Sequence, residues 1–236
     1  VKSLSEEVRK ATVVDRLTGL HNRRYLEERI DEDVAMVRRA YAYSRPGSRL
    51  HLHNSDLGVV LIDIDDMHRI NEIHGDEVGD EVLIQLGAML GRRVRQHDSV
   101  VRWDGDTFMA LLRQVNRSGM RDVVERLQQW IREESFTGTG GHRFGITCSS
   151  GYCHYPLGEL GHFSWENIVK AADAALRLGR KAGGDVAIGV SEGSQPLDKT
   201  GARLVVEKLA QAAENGYVKL LWERDLGEGS PEQKGE

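Results

Sequence analysis

The sequence contains no apolar run approaching the ~18 residues of a membrane-spanning helix, and its first residues carry no signal-peptide pattern. Cysteine is scarce. The two present, Cys148 and Cys153, lie five positions apart in a strand-like stretch. An odd separation sends side chains to opposite faces of a continuous strand, which disfavours a disulfide between them. Two lone thiols suit a reducing compartment, so the expected location is cytoplasmic, including the cytoplasmic part of a longer membrane-bound sensor. An excess of positive charge is also missing: 32 Lys and Arg stand against 37 Asp and Glu, a net charge of -5. A general nucleic-acid binder needs a basic face, so that class is disfavoured, while a local pocket of Arg and Lys for a small phosphorylated ligand is not. No internal repeat is visible. What remains is ordinary for a soluble globular chain: 39% hydrophobic and 29% charged residues in 236 positions, enough for one domain with extensions or two very small ones.

Residues 2–12 read as the end of an incoming helix that runs into a turn at Asp15-Arg16-Leu17-Thr18-Gly19-Leu20. From Arg23, Leu26, Ile30, Val34, Val37 and Tyr41 recur at helical steps and predict one helix ending near Ser44, before Arg45-Pro46-Gly47. A polar insertion loop follows at about 46–56. Leu57 to Ile64 (LGVVLIDI) is a continuous apolar run with β-branched residues and predicts a buried strand. A short helix and a longer one from about Gly79 to Arg95 come next. Val100–Trp103 and Thr107–Leu112 predict two strands around the turn pair Asp104-Gly105.

Helix signals return at 119–133, strand signals at 144–153, and helix signals at 165–181 with Ser164 as N-cap. A short strand near 185–190 ends the unit. The succession predicts an α/β (α+β) sheet with helices packed on it, and the central hairpin argues against an all-parallel fold. Beyond it, 201–214 predicts a helix and 217–222 a strand, a C-terminal appendix over 191–222, and the charged, Gly-rich tail from Glu223 is expected to be disordered.

Asp63 falls at the C-terminal end of the apolar strand, with Asp65 two residues later on the same side, and Asp106 in the tight turn of the hairpin. Carboxylates so placed can hold Mg²⁺, a hard ion that takes oxygen ligands, and two such ions can position a triphosphate and activate a hydroxyl. Taken singly, acidic residues at strand ends can equally be solvated caps.

Four patterns in order change that weighting. Asp15-x-Leu17-Thr18-Gly19-Leu20-x-Asn22-Arg23-Arg24 comes first, then Asp63-x-Asp65 with Ile70-Asn71, Gly75 and Gly79-Asp80. Arg102-Trp103-Asp104-Gly105-Asp106-Thr107-Phe108 follows, and then Ala172-Asp173-x-Ala175-Leu176 with Arg180 and Gly183. Over residues 12–190 the chain resembles the GGDEF domain, the family of diguanylate cyclases. The resemblance implies a central mixed sheet flanked by helices, similar to the polymerase palm and the nucleotide cyclases, in a domain spanning 15–190. It also implies Mg²⁺ and one GTP per domain. Two domains meet face to face, each 3′-hydroxyl attacking the α-phosphate of the other GTP, so that dimerisation is part of catalysis.

Carried over by position, the resemblance implies Asp63, Ile64 and Asp106 for metal. Asn71 and Asp80 would read guanine, and Gly105, His68 and Arg180 would line the phosphates. Asp104 replaces the first glycine of the signature, adding bulk and negative charge where backbone should approach phosphate. Thr107 replaces the signature glutamate and cannot act as a base at neutral pH. His68 stands at a phosphate-binding lysine and is mostly neutral at pH 7. Gly184 stands at a usual arginine, and Asp76 at a frequent histidine. These departures predict little or no cyclase activity.

Arg95-Gln96-His97-Asp98 ends five residues before Asp104-Gly105, the spacing of the family's inhibitory cyclic di-GMP site, with Arg126 as a further ligand. An arginine fork binds phosphate bidentately and stacks on a base. The plainer reading of Arg95 and Asp98 is an i,i+3 surface ion pair.

Three functions fit these residues: a degenerate domain that senses cyclic di-GMP or GTP, a working cyclase, or a dimerising scaffold that binds no nucleotide. An upstream sensor in a longer protein and a homodimer are the expected partners. His51-x-His53 reads as a solvated loop rather than half a metal site. The stripe Leu204, Val205, Leu209 and Ala212 reads as a helix face packed on the domain, or a partner contact.

Overall fold

Every residue from Asp56 to Ile64 is buried, because alternate side chains of this strand enter two different apolar layers. Val59 and Leu61 join one core, and Val60, Ile62 and Ile64 join the other. A strand covered on both faces needs no polar positions, and for that reason it reads as a continuous apolar run. The computed structural model describes residues 13–43, 55–138, 140–161 and 163–223. The expected incoming helix at 2–12, most of the insertion loop with His51 and His53, and the tail past Glu223 lie outside the described residues.

In chain order the elements begin with β1 (His21–Asn22), α1 (Arg23–Glu27), α2 (Ile30–Tyr43) and β2 (Asp56–Ile64). Then come α3 (Met67–His74), α4 (Asp76–Arg93), β3 (Ser99–Asp104), β4 (Thr107–Val115) and α5 (Arg117–Glu133). The chain continues through β5 (Phe136–Thr137), β6 (Arg143–Phe144), β7 (Cys148–Tyr155), α6 (Trp165–Lys181) and β8 (Ala187–Glu192). It ends with α7 (Lys199–Glu207), α8 (Leu209–Glu214) and β9 (Val218–Glu223). Seven strands form one mixed sheet in the order β1-β3-β4-β2-β7-β8-β9. β2 is antiparallel to both β4 and β7, while β7 and β8 are parallel and joined across one face by α6.

One face carries α2 (Ile30, Val34, Val37), α6 (Ile168, Ala171, Ala172, Ala175) and the C-terminal pair α7–α8 (Val205, Leu209, Ala212). The other carries α4 (Val82, Leu86, Met89, Leu90) and α5 (Val124, Leu127, Ile131). Cys153 belongs to the first core and Cys148 to the second, both as free thiols, as their odd separation requires. Close packing of α6 on β7 depends on Gly151. A Cβ there would sit 2.0 Å from the Ala172 carbonyl oxygen and 2.4 Å from the Leu176 nitrogen.

Three expectations are corrected. The helix expected from Arg23 to Ser44 is two pieces, because the chain turns between Glu27 and Ile30. The strand expected at 144–153 begins at Cys148, and Phe144 instead pairs with Phe136 in a separate two-stranded sheet. The helix expected at 201–214 breaks at Lys208, whose backbone (φ -145, ψ 65) is not helical. In the C-terminal appendix, β9 extends the main sheet through β8, and the Val205–Leu209–Ala212 stripe is buried against the domain, as expected for a packed helix face. Ser164 caps α6 as expected, accepting from the Asn167 N–H. No helix among the described residues is long and apolar enough to cross a membrane.

Candidate active site at the β2–β4 end

Asp63 is 2% exposed and sits directly across the β2–β4 ladder from Thr107. The Thr107 hydroxyl donates to its Oδ2 at 2.6 Å. Arg180 reaches from α6 and places Nη1 2.8 Å from Oδ1, a charge contact rather than a directed hydrogen bond. Burial pushes the Asp63 carboxyl above its usual range. The Thr107 hydrogen bond pulls it down, Asp106 pushes it up, Arg180 opposes that, and Asp65 adds a smaller upward push. Both oxygens of the expected metal ligand are therefore engaged by protein groups.

The hairpin turn exposes Asp104 and Gly105 and leaves Asp106 half-buried. Its shape is held from behind. Arg102 Nε donates to the Gly105 carbonyl at 2.8 Å, and Arg102 Nη1 lies 3.3 Å from Asp15 Oδ1. Asp15 closes the N-terminal turn by accepting from Thr18 N–H (2.9 Å) and Thr18 Oγ1 (2.7 Å). Burial works against its charge, but the Thr18 and Arg102 contacts outweigh that and lower its pKa. Arg23 stacks over the Trp103 ring at 4.5 Å. The motif Asp15–Arg24 is thus a brace for the signature hairpin, a role its sequence pattern did not disclose.

Asp65 is close enough to Asp63 to raise its pKa, yet its own oxygens are committed elsewhere. They accept from Thr147 Oγ1 (2.8 Å), Ser149 Oγ (2.6 Å) and the Asp185 N–H (2.8 Å). The reason is that β2 ends at Ile64, so strand alternation no longer governs where Asp65 points. Gly184 lies against the same carboxylate, a Cβ there falling 3.0 Å from Asp65 Cγ.

Asn71 lies on α3 and faces α4 at Gly79, where an added Cβ would come within 1.9 Å of Asn71 Oδ1. That oxygen is buried and accepts no hydrogen bond. Asp80 is exposed on the next position of α4, as is Asp76 in its first turn. His68 is on α3, with its side chain 86% exposed and its Nε2 3.0 Å from Glu72 Oε1 one turn on.

Arg95 and Arg126 are exposed, beyond the end of α4 and on α5 respectively. Asp98 is not paired with the Arg95 guanidinium. Its carboxylate, 6% exposed, accepts from the main-chain N–H of Arg95 (3.2 Å) and of Arg113 (2.9 Å). Arg113 then fastens this turn to α2: Nε and Nη2 bind both Asp33 oxygens at 2.8 and 2.7 Å, and Nη1 reaches the His97 carbonyl at 2.7 Å. Neither Arg113 nor Asp33 carries a local sequence signal, since the pair is made only by packing α2 beside β4.

The residues fit a hard divalent cation in kind. Asp63 and Asp106 offer carboxylate oxygens, and Ile64, its side chain buried, offers only a main-chain carbonyl. Among the described residues no group of three metal-ligating side chains forms, so phosphate oxygens would have to complete the shell.

The site is therefore a buried strand-end aspartate beside a tight acidic hairpin, set at one end of a mixed sheet flanked by helices. The chain matches the family described as "Diguanylate cyclase, GGDEF domain" over residues 12–185, and it belongs to that family. It is 34% identical over 180 residues to the diguanylate cyclase DgcP of Pseudomonas aeruginosa, covering 76% of this chain and 24% of DgcP. It is 28% identical over 184 residues to the response regulator PleD of Caulobacter vibrioides, covering 75% of this chain and 36% of PleD. The chain thus spans about a quarter to a third of the length of these curated relatives. Among solved structures it is similar to the diguanylate cyclase SiaD of Pseudomonas aeruginosa in complex with its activator SiaC. There the TM-score is 0.62 and the identity 27%, over 80% of this chain and 65% of that one. The GGDEF domain of FimX from Pseudomonas aeruginosa shares the fold (TM-score 0.62, 17% identity, 74% and 97% covered).

Proposed function

We propose that this chain is a GGDEF domain of cyclic di-GMP signalling whose cyclase chemistry is absent or slow, and that it serves as a guanine-nucleotide-responsive regulatory module. The observation that supports it is the state of Asp63, with Arg180 on one oxygen and the Thr107 hydroxyl on the other. Asp63, the Ile64 carbonyl and Asp106 would hold Mg²⁺, with Arg180 displaced from Oδ1, and the ion would supply charge neutralisation at the phosphates. Thr107 offers no base for the attacking hydroxyl, and Asp104 sets a carboxylate beside an anionic substrate.

Binding is the better preserved half of the reading. The unpartnered Asn71 Oδ1 and the exposed Asp80 carboxylate suit the donor edge of guanine. Gly105, His68 and Arg180 are the proposed phosphate contacts, the first two solvent-facing. Cyclic di-GMP is assigned to Arg95, Asp98 and Arg126, with Asp98 exchanging its main-chain partners for the base. A homodimer, and a sensor preceding the 15–190 domain, complete the proposal.

The test is an endpoint assay at high protein concentration with GTP and Mg²⁺ or Mn²⁺, run beside calorimetry with a non-hydrolysable GTP analogue and with cyclic di-GMP. The expected result is nucleotide binding without accumulation of product. Clear cyclic di-GMP formation establishes a working cyclase instead, and absence of any binding leaves a scaffold.

A further inference from the structure

We infer that β9 is a self-complementary edge through which two copies of this chain join their sheets, antiparallel and centred on Leu221. The strand is the last of the seven, and it lies outside the part of the chain that matches the family, which ends at residue 185. A terminal strand presents unpaired N–H and C=O groups, the usual template for adding another strand.

The alternation of the ladder decides which groups those are. Gly193 N–H donates to the Tyr217 carbonyl, which marks that pair as hydrogen-bonded. Bonded and non-bonded pairs alternate along an antiparallel ladder. Against β8, the pairs at Lys219, Leu221 and Glu223 are therefore bonded, and the N–H and C=O of Val218, Leu220 and Trp222 face outward. A second β9 must match outward residues to outward residues, which leaves only even-sum registers.

Side-chain chemistry selects among them. Lys219, Leu221 and Glu223 share the α5 face, where Arg121 Nε and Nη2 hold both oxygens of Glu223 at 2.8 Å. The same guanidinium also serves Glu125, at 2.9 Å, so one cation is divided between two carboxylates. Lys219 on that face is exposed and has no partner among the described residues. Centring the pair on Leu221 sets Lys219 opposite the second copy's Glu223, twice by symmetry, and supplies the missing cation. These positions are non-bonded pairs in the new ladder, where side chains approach most closely.

On the opposite face, Trp222, a large apolar side chain left 47% exposed, comes opposite the second copy's Leu220 in a bonded pair. Shifting the register by two residues either way loses both matches. Three strands separate β9 from β4, about 19 Å at the usual strand spacing, so this contact leaves the signature hairpin free.

The register makes a sharp test. In a non-bonded antiparallel pair the two Leu221 Cα atoms approach to about 4.5 Å, within disulfide range. The native thiols are buried and do not compete. Full-chain Leu221→Cys, oxidised with diamide in the absence of nucleotide, should give a covalent dimer, whereas Lys219→Cys, offset in this register, should not. In sedimentation equilibrium the wild-type chain should dimerise, and Lys219→Glu should weaken that by about tenfold or more, since it sets like charges opposite one another. Thermal melting of each variant confirms that it is folded. A wild-type chain that stays monomeric, equal cross-linking of the two cysteine variants, or a Lys219→Glu dimer of unchanged affinity overturns the proposal.

Discussion

Thr107 and Asp63 face each other across the β2–β4 ladder, and the Thr107 hydroxyl donates into the Asp63 carboxylate at 2.6 Å. The departure from the signature thus acts on the proposed metal ligand itself, by placing a hydrogen-bond donor against its carboxylate. With Arg180 on the other oxygen, Asp63 has a counter-ion and a hydrogen-bond donor from within the protein.

Restoring the signature should restore chemistry. The double substitution Asp104→Gly, Thr107→Glu removes the donor and supplies a carboxylate. A positioned base contributes 10²–10⁴-fold, so cyclic di-GMP formation should rise at least about a hundredfold over the wild-type chain. Nucleotide product is measured by chromatography at matched protein concentration. An unchanged rate would place the block at His68 or Arg180 instead.

Gly79→Ala should separate binding from folding. Alanine is the better helix former by about 1 kcal/mol, so α4 should persist. Its Cβ, however, would lie 1.9 Å from Asn71 Oδ1 and 2.9 Å from Met67 Cε, forcing Asn71 out of place. GTP-analogue affinity should fall about tenfold or more while the melting temperature holds, because a displaced amide forfeits the hydrogen bonds to guanine proposed for it. Full retention of affinity would remove Asn71 from the guanine site.

Gly151→Ala should do the reverse. The added Cβ meets backbone atoms of α6, which cannot rotate away, and overpacking of this kind costs about 3 kcal/mol. Urea denaturation should register the loss at unchanged m-value, with nucleotide binding retained in the folded fraction.

Asp56, 6% exposed at the start of β2, accepts a 2.6 Å hydrogen bond from Tyr41 on α2. Burial drives its pKa from 3.8 up to about 6, against the opposing Tyr41 hydrogen bond and the Arg117 charge, with Glu192 adding a further upward push. A carboxyl raised on folding is bound to a proton more tightly in the native state. Its contribution is fullest below pH 3.8 and is lost as pH rises through about 6. Asp56→Asn should therefore stabilise the chain at pH 7.5 by up to about 3 kcal/mol and change little at pH 3.5. Equal effects at both pH values would contradict the buried charge.

His154 on β7 works in the opposite sense. It is buried, its Nε2 has no hydrogen-bond partner, and burial lowers its pKa to about 4, with Arg117 pushing the same way. The unfolded chain takes up the proton first, so stability falls as pH drops from 6.5 toward 4. His154→Leu should flatten that acid limb in thermal melts between pH 7 and 4.5. An unaltered slope would mean that His154 is not held neutral.

What the sequence determined by itself is the local and periodic part of this protein. Alternation along Val59–Ile64 and the odd Cys148–Cys153 separation assign side chains to the two faces of the sheet, because the two-residue period of a strand is set by backbone geometry. The Ser164 cap and the order of the four motifs are equally chain-local, and they suffice for the family. The tertiary structure decided what the site residues touch. Asp65 turns to Thr147, Ser149 and Asp185, Asp98 to main-chain N–H groups, and Arg180 to Asp63. Lys208 breaks a helix that periodicity had drawn as one. Each of these contacts joins segments distant in sequence or depends on how one element lies on another. Residue type and spacing fix which side chains are available, and only the packing of α2, α4 and α6 on the sheet fixes which of them meet.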